Sequence, residues 1–187
     1  MAYTAFLDTN VLFGGYLCDT VLRLAEADLY QPQWSPDVLD ELRRNLIQRG
    51  LAETAVDHRI NSMRRAFPEA EVTGYQALIP GLTCDEKDRH VLAAAIRGNA
   101  DTIITFNTRD FPPASTEPFD IEVVHPDDFL LDQLDLDAHQ VAEALGRQAA
   151  SYRRPSTNVA ELMERLARSG VPGFAGQARL RTEPQPP

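Results

Sequence analysis

Tyr3-Thr4-Ala5-Phe6-Leu7-Asp8-Thr9-Asn10 is the stretch on which the fold turns. Its first five residues are short, apolar and partly aromatic, and Asp8 stops them. That pattern predicts a buried first strand ending at Asp8. Downstream, Val11 to Leu29 has helical apolar spacing interrupted by Gly14-Gly15, which predicts two short helices. Gln31 to Trp34 is a candidate short strand. Ser35-Pro36 combines an N-cap with a proline at the first helical position, and the helix is expected to run to Gly50 as its closing glycine. Ala52 to Phe67 reads as a further helix, stopped by Pro68. Glu71 to Leu82 reads as loop with at most a short strand. Asp85 caps a helix through Arg97, closed by Gly98. Thr102 to Phe106 is the clearest strand, and Asp120 to Val124 is another, leading into a helical turn begun by Pro126. Strands that alternate with helices predict an α/β fold with a mainly parallel central β-sheet flanked by helices.

From about Leu134 the strands cease. Asp137 to Tyr152 and Asn158 to Ser169 read as two helices, and the Gly- and Pro-rich residues 170–187 as a flexible tail. The expected organisation is one domain over 1–133, a helical extension over 134–169 and that tail. No internal repeat is present.

Composition narrows the class. The 187 residues are 43% apolar and 25% charged, an ordinary globular balance. No apolar run reaches the roughly 18 residues of a membrane span. Met1 to Leu7 lacks the basic and long apolar regions of a signal peptide. Two cysteines, Cys18 and Cys84, make no disulfide framework, so a cytoplasmic location is expected. The net charge of −10 is regional. Residues 111–146 hold nine acids and no Lys or Arg, leaving 19 acids against 18 bases elsewhere. The low isoelectric point argues against a broad DNA-binding face. Seventeen of the 18 basic residues are Arg, the better side chain for bidentate phosphate contacts, although codon bias is the simpler account.

Four carboxylates attract notice, and each has two readings. Asp8 stands at a strand's carboxyl end, where parallel sheets bind ligands, or it caps the next helix. Glu41 lies at the edge of the apolar stripe Val38, Leu39, Leu42 and Leu46, near Asn45, or is a solvated flank residue. Asp88 lies on the axis of the stripe Val91, Leu92 and Ala95, where an unpaired carboxylate is costly, or it caps the helix start. Asp110 again follows a strand, or is a turn residue before a proline. A doubly wound sheet is able to gather all four at one edge. Four such groups cannot all stay ionised without compensation, and Mg²⁺ or Mn²⁺ suits an all-carboxylate site. Such sites activate water and stabilise an in-line phosphoryl displacement. With these four acids set aside, the chain outside 111–146 has 15 acids against 18 bases, a mildly basic setting for a phosphodiester.

The order of motifs resembles the PIN-domain nuclease family. The matching pieces are Phe6-Leu7-Asp8-Thr9-Asn10-Val11-Leu12, Val38-Leu39-Asp40-Glu41-Leu42, Asp85-Glu86-Lys87-Asp88-Arg89-His90-Val91-Leu92-Ala93-Ala94-Ala95 and Ile103-Ile104-Thr105-Phe106-Asn107-Thr108-Arg109-Asp110-Phe111. They span roughly residues 3–130, and it is the ordered set rather than any one piece that is specific. The resemblance implies a three-layer PIN-like fold over 1–133. It also implies Mg²⁺- or Mn²⁺-dependent endoribonuclease activity leaving 3′-hydroxyl and 5′-phosphate ends. Members are most often the toxin of a bacterial toxin–antitoxin pair. The implied partners are an RNA substrate, a cognate antitoxin protein and a second copy in a homodimer. By position, Asp8 becomes the central metal ligand, and Asp88 and Asp110 complete the acidic pocket. Glu41 ligates a second metal or orients the attacking water, and Asn10 and Thr105 support the site. Asn107 departs from the family, many of whose members have Asp there; it offers an oxygen without a charge. The extension beyond about 134 is a second departure.

Other readings fit less well. A haloacid-dehalogenase-like phosphatase needs a second Asp where Asn10 stands. No phosphate-binding glycine loop surrounds Lys87, and His58, His90, His125 and His139 lack zinc spacing. A non-catalytic PIN-like module that binds RNA or protein is the alternative, against which the intact acids argue. The acidic stretch 111–146 is either a solvated surface or a site for a basic partner.

Overall fold

The structure, a computed structural model, describes residues 3–153 and 156–182. In chain order its elements are β1 (Thr4–Leu7), α1 (Thr9–Phe13), α2 (Gly15–Glu26), β2 (Gln31–Gln33), α3 (Pro36–Gln48), α4 (Glu53–Ala66), α5 (Arg89–Arg97), β3 (Thr102–Ile104), α6 (Pro113–Thr116), β4 (Glu122–Val124), α7 (Pro126–Leu136), α8 (Ala138–Ser151), α9 (Val159–Arg168) and α10 (Pro172–Thr182). Tight 3-10 turns lie at Gln76–Gly81, Glu86–Asp88, Thr108–Asp110 and Glu117–Phe119. The chain resolves into two compact units, residues 3–13 with 30–124, and residues 14–29 with 125–182.

The first unit holds a four-stranded sheet in the order β2-β1-β3-β4, with every pairing parallel. Ala5, Phe6 and Leu7 of β1 are fully buried, as befits a central strand covered on both faces. After β1 the chain steps to β2 on one side; β3 and β4 then lie on the other. The order therefore reverses between β1 and β3, and in open α/β sheets ligands bind at the carboxyl edge of such a reversal. The register sets Leu7 opposite Ile104, which brings Asp8 level with Thr105.

Most expected elements form, with instructive differences. Ser35 caps α3 through its hydroxyl, and Gly50 closes the helix at φ +93°. Strand β3 ends at Ile104 rather than Phe106, because the Phe106 N–H is taken by the Asn10 side chain instead of a neighbouring strand. Strand β4 starts only at Glu122, since Asp120 is left-handed at φ +55°. Gly98 is not the left-handed residue that ends α5; Asn99 takes that role at φ +50°. Gly98 is closely approached: a Cβ there would lie 2.3 Å from Gln33 Oε1, so the Gln33 side chain that donates to the Gly98 carbonyl would have to move.

The second unit is helical. The boundary expected after residue 133 falls instead after Val124, and this unit also takes in α2. Pro126 begins an 11-residue helix rather than a turn, with His125 Nδ1 accepting the Asp127 N–H. Fully buried Gln148 accepts from the Thr20 hydroxyl at 2.8 Å and donates to the Tyr16 carbonyl at 3.0 Å, tying α8 to α2. Tyr152 donates to Asp19 at 2.6 Å, and burial, then Asp19, pushes its hydroxyl up to about 12.

The expected flexible tail is corrected over 172–182, which forms α10 and packs on α7 and α9 with Phe174 and Ala178 fully buried. Its start is capped from a distance. The Asp127 carboxylate accepts the Gly173 N–H at 2.9 Å and the Phe174 N–H at 2.7 Å. A Cβ at position 173 would meet Asp127 Oδ2 at 2.8 Å, so a larger residue there would displace the capping carboxylate. The part of the expected tail after Thr182 lies outside the described residues. The acidity of 111–146 also has local uses: Asp135 pairs with Arg181, Glu143 with Arg147, and Asp137 caps α8.

Replacing Asp127 with Ala is expected to cost about 1–2 kcal/mol, the upper range for a lost cap. Hydrogen exchange should show α10 losing protection first, while β1 and β3 keep theirs. Unchanged protection of the Gly173 and Phe174 amides would show that the cap is not what holds the helix.

Candidate active site

Asp8 is fixed where β1 ends. Its N–H donates to the Ile104 carbonyl at 3.1 Å, the last rung between β1 and β3. Its carboxylate is buried, 5% exposed, and held by neutral donors alone. Oδ1 accepts the Thr9 N–H at 2.6 Å; Oδ2 accepts the Asn10 amide at 2.6 Å and the Thr105 hydroxyl at 2.7 Å. Thr105 Oγ1 in turn accepts from Asn10 Nδ2 and from the Asn107 N–H, both at 3.0 Å, which fills the hydroxyl's capacity. Asn10 Oδ1 accepts the Phe106 N–H at 3.1 Å, fixing the amide so that its NH₂ faces Asp8. Helix capping does not account for this carboxylate. The Val11 and Leu12 N–H groups use the Asp8 main-chain carbonyl. Burial raises the Asp8 carboxyl above its ordinary range; Thr105 and Thr9 hold it down in part, and Glu41 raises it further.

Glu41 reaches the same place from α3, whose buried Val38, Leu39, Leu42 and Leu46 hold it against α1. The Thr9 hydroxyl donates to Glu41 Oε2 at 3.0 Å, with the Val38 carbonyl at 3.4 Å. Glu41 is thus one residue removed from Asp8 through Thr9, and it is half-buried at the cavity wall.

Asp88 ends the tight turn before α5 and is 9% exposed. It caps nothing: Asp85 accepts the Lys87 N–H instead. Its Oδ2 is buried and accepts no hydrogen bond from the described residues. Burial, then the nearby Asp8 charge, pushes the Asp88 carboxyl up to about 7, against the pull of Lys87.

Asp110 sits differently from the other three. Its main-chain carbonyl accepts the Asp85 N–H at 3.0 Å, joining the two loops. Its carboxylate does not line the cavity but meets Lys87 Nζ at 3.2 Å, and the same ammonium lies 3.9 Å from Asp88 Oδ2. Of the four expected pocket carboxylates, three therefore line one cavity, with the fourth reached across a lysine.

The cavity is about 790 Å³, lined by Asp8, Thr9, Asn10, Phe13, Asp37, Asp40, Glu41, Arg44, Asn45, Lys87, Asp88, His90 and Asn107. Sequence reasoning missed several of these. Lys87, the chain's single lysine, stands next to Asp88 in the sequence, and Arg44 is three residues from Glu41, the helical spacing that places two side chains together. Arg44 is exposed and has no ion pair or hydrogen bond among the described residues. Asp37 accepts the Tyr75 hydroxyl at 2.6 Å, and His90 Nδ1 is buried without a partner.

No group of three or more His, Cys, Asp or Glu side chains among the described residues is arranged to enclose an ion by itself. Mg²⁺ does not require one, since it commonly takes one or two carboxylates and keeps several waters. Asp8 and Asp88 supply oxygen donors of the right hardness. The orphaned Asp88 oxygen needs a proton or a cation, because a buried carboxylate left unpaired is costly.

A carboxyl raised in the folded state binds its proton more tightly there than in the unfolded chain, so raising the pH removes a proton the fold prefers. Asp88 therefore lowers stability progressively from about pH 4, the ordinary carboxylate range, to about 7. The protein without divalent ions is expected to melt higher at pH 5 than at pH 7.5. In Asp88→Asn that difference should shrink, with a higher melting temperature at pH 7.5. Equal pH dependence in the two proteins would show that Asp88 is not the strained group.

A family model described as the PIN domain matches residues 4–109. A second, described as the VapC50 C-terminal domain, matches residues 126–180. A Mycobacterium tuberculosis protein named "Putative ribonuclease VapC50" is 42% identical over 106 residues, which cover 57% of this chain and 62% of that protein. No solved structure matches.

Proposed function

This chain belongs to the PIN-domain family, and from that premise we propose that it is a divalent-metal-dependent endoribonuclease, the toxin of a bacterial toxin–antitoxin pair. The observation that carries the proposal is the buried, donor-less Asp88 oxygen beside Asp8. Two carboxylates pushed together in a cavity, with no hydrogen bond to one of them, are arranged for a cation. The named ribonuclease relative and the match to the VapC50 C-terminal domain support the reading.

Asp8 and Asp88 would hold Mg²⁺ or Mn²⁺, whose chemistry is to make a coordinated water acidic and to stabilise charge on the phosphoryl group. Thr105, Asn10 and the Thr9 N–H keep Asp8 in one orientation, so no reorganisation is needed during reaction. Glu41, set by the Thr9 hydroxyl, orients the attacking water and takes its proton. Asp110 shapes the site through Lys87. Asn107 lies at the cavity wall as an uncharged oxygen donor, which favours one tightly held ion over two. Arg44 and Lys87 are cations on that wall and meet the phosphodiester; Arg44 suits it by its planar fork. The bond from phosphorus to the 3′ oxygen breaks as the water oxygen bonds phosphorus, and the departing 3′ oxygen takes a proton from solvent, leaving 5′-phosphate and 3′-hydroxyl ends. The reading includes a cognate antitoxin, a homodimer and a cytoplasmic location. No helix among the described residues is long and apolar enough to cross a membrane.

The test is cleavage of a panel of structured RNAs with Mg²⁺ or Mn²⁺. Cleavage is expected to stop with EDTA. Asp8→Asn should slow it by more than about a hundredfold, since even the outer partners of a metal ligand typically cost about 10–100-fold. No cleavage and no metal-induced rise in melting temperature would favour the non-catalytic binding module.

Under the same assay, Arg44→Ala is expected to raise KM several-fold with kcat nearly unchanged, the signature of lost uniform binding. A fall in kcat at constant KM would place Arg44 in the chemical step instead.

A further inference from the structure

Lys87 holds an unusual position. It is the one lysine of the chain, anchored at its N–H by Asp85 Oδ1 and with a side chain 65% exposed. Its ammonium makes one good contact, at 3.2 Å to Asp110, and one loose contact, at 3.9 Å to Asp88. The second exceeds hydrogen-bond range, so Asp88 Oδ2 stays without a donor although a cation is beside it. A single charge is thus shared between two carboxylates and satisfies one of them poorly. An ammonium is a compact charge on a flexible stem, able to leave without disturbing the backbone. A divalent ion has twice the charge and approaches carboxylate oxygens to about 2.0–2.1 Å for Mg²⁺, so it answers Asp88 better and repels the ammonium.

We propose that Lys87 is the resident cation of this site: its ammonium bridges Asp110 and Asp88 in the metal-free protein and gives up that place when a divalent ion binds. The proposal rests on the metal-dependent reading above. It assigns Asp110 a positioning role, as the acceptor that holds the ammonium until the ion arrives.

Because the chain has one lysine, ¹⁵N-lysine labelling gives one side-chain ammonium resonance. Without metal, the ion pair should slow its exchange with water and make it visible. Mg²⁺ should remove that signal over the same concentrations that raise the melting temperature. Asp110→Asn should remove it without any metal. Lys87→Met, read by calorimetric titration with Mg²⁺, should bind the ion several-fold more tightly, while Lys87→Arg stays near the native affinity. A signal that persists while Mg²⁺ raises the melting temperature would overturn the exchange and leave the metal reading standing. A protein that binds no Mg²⁺ by calorimetry or by melting would overturn both.

Discussion

The parallel pairing of β1 with β3 is the constraint on which the site depends. Leu7 stands opposite Ile104, so the next residues out, Asp8 and Thr105, emerge side by side at the carboxyl edge. From that one register follow the Thr105 hydroxyl on Asp8, the Asn10 amide between them, and the Phe106 N–H that fixes the amide. A slip of one residue would turn the opposed side chains to the other face of the sheet and leave Asp8 buried without these donors. The same bonds explain why β3 is short: its continuation is spent on the site rather than on the sheet.

The electrostatics follow from that placement. Asp8 is satisfied by neutral donors, which orient a carboxylate without cancelling its charge. Asp88 is brought close by the turn before α5, and its own burial, then the Asp8 charge, pushes its carboxyl up to about 7. Asp110 instead pairs with Lys87. The acids of this site are therefore unequal, although the sequence presents them as similar. One is orientated, one is uncompensated, one is paired, and Glu41 stands half-buried at the cavity wall.

The helical unit shows a different economy of charge. Much of the acidity between 111 and 146 is used at home, on the starts of α8 and α10 and on Arg147 and Arg181. Pairs as exposed as Glu143 with Arg147 contribute little stability. The Asp127 cap matters more, since it satisfies two N–H groups where α10 begins.

Helices and strands with strong periodicity or clear punctuation were readable directly. Ser35-Pro36 and Gly50 marked α3, and the apolar run ending at Asp8 marked β1, because caps and periodic burial are local properties of the chain. The family resemblance is legible in the ordered set of motifs; Asp8 and Asp88 stand out because a polar group at a strand end or on an apolar face breaks a pattern, while Glu41 by itself reads as a solvated flank residue and draws notice only within that set. What the sequence could not carry was anything that depended on a distant partner. Helix α10 looked like a tail because its cap, Asp127, lies more than forty residues away. Asp110 looked like a fourth pocket acid because its partner Lys87 comes from another loop. Gly98 reads as the closing residue of its helix, while Asn99 takes the left-handed position and the Gln33 side chain approaches Gly98 from a distant strand. Local physics set the elements and the candidate residues; which carboxylate is paired and which is left wanting a cation was decided only when the sheet register and the loops brought them together, because charge energies depend on distances through space rather than along the chain.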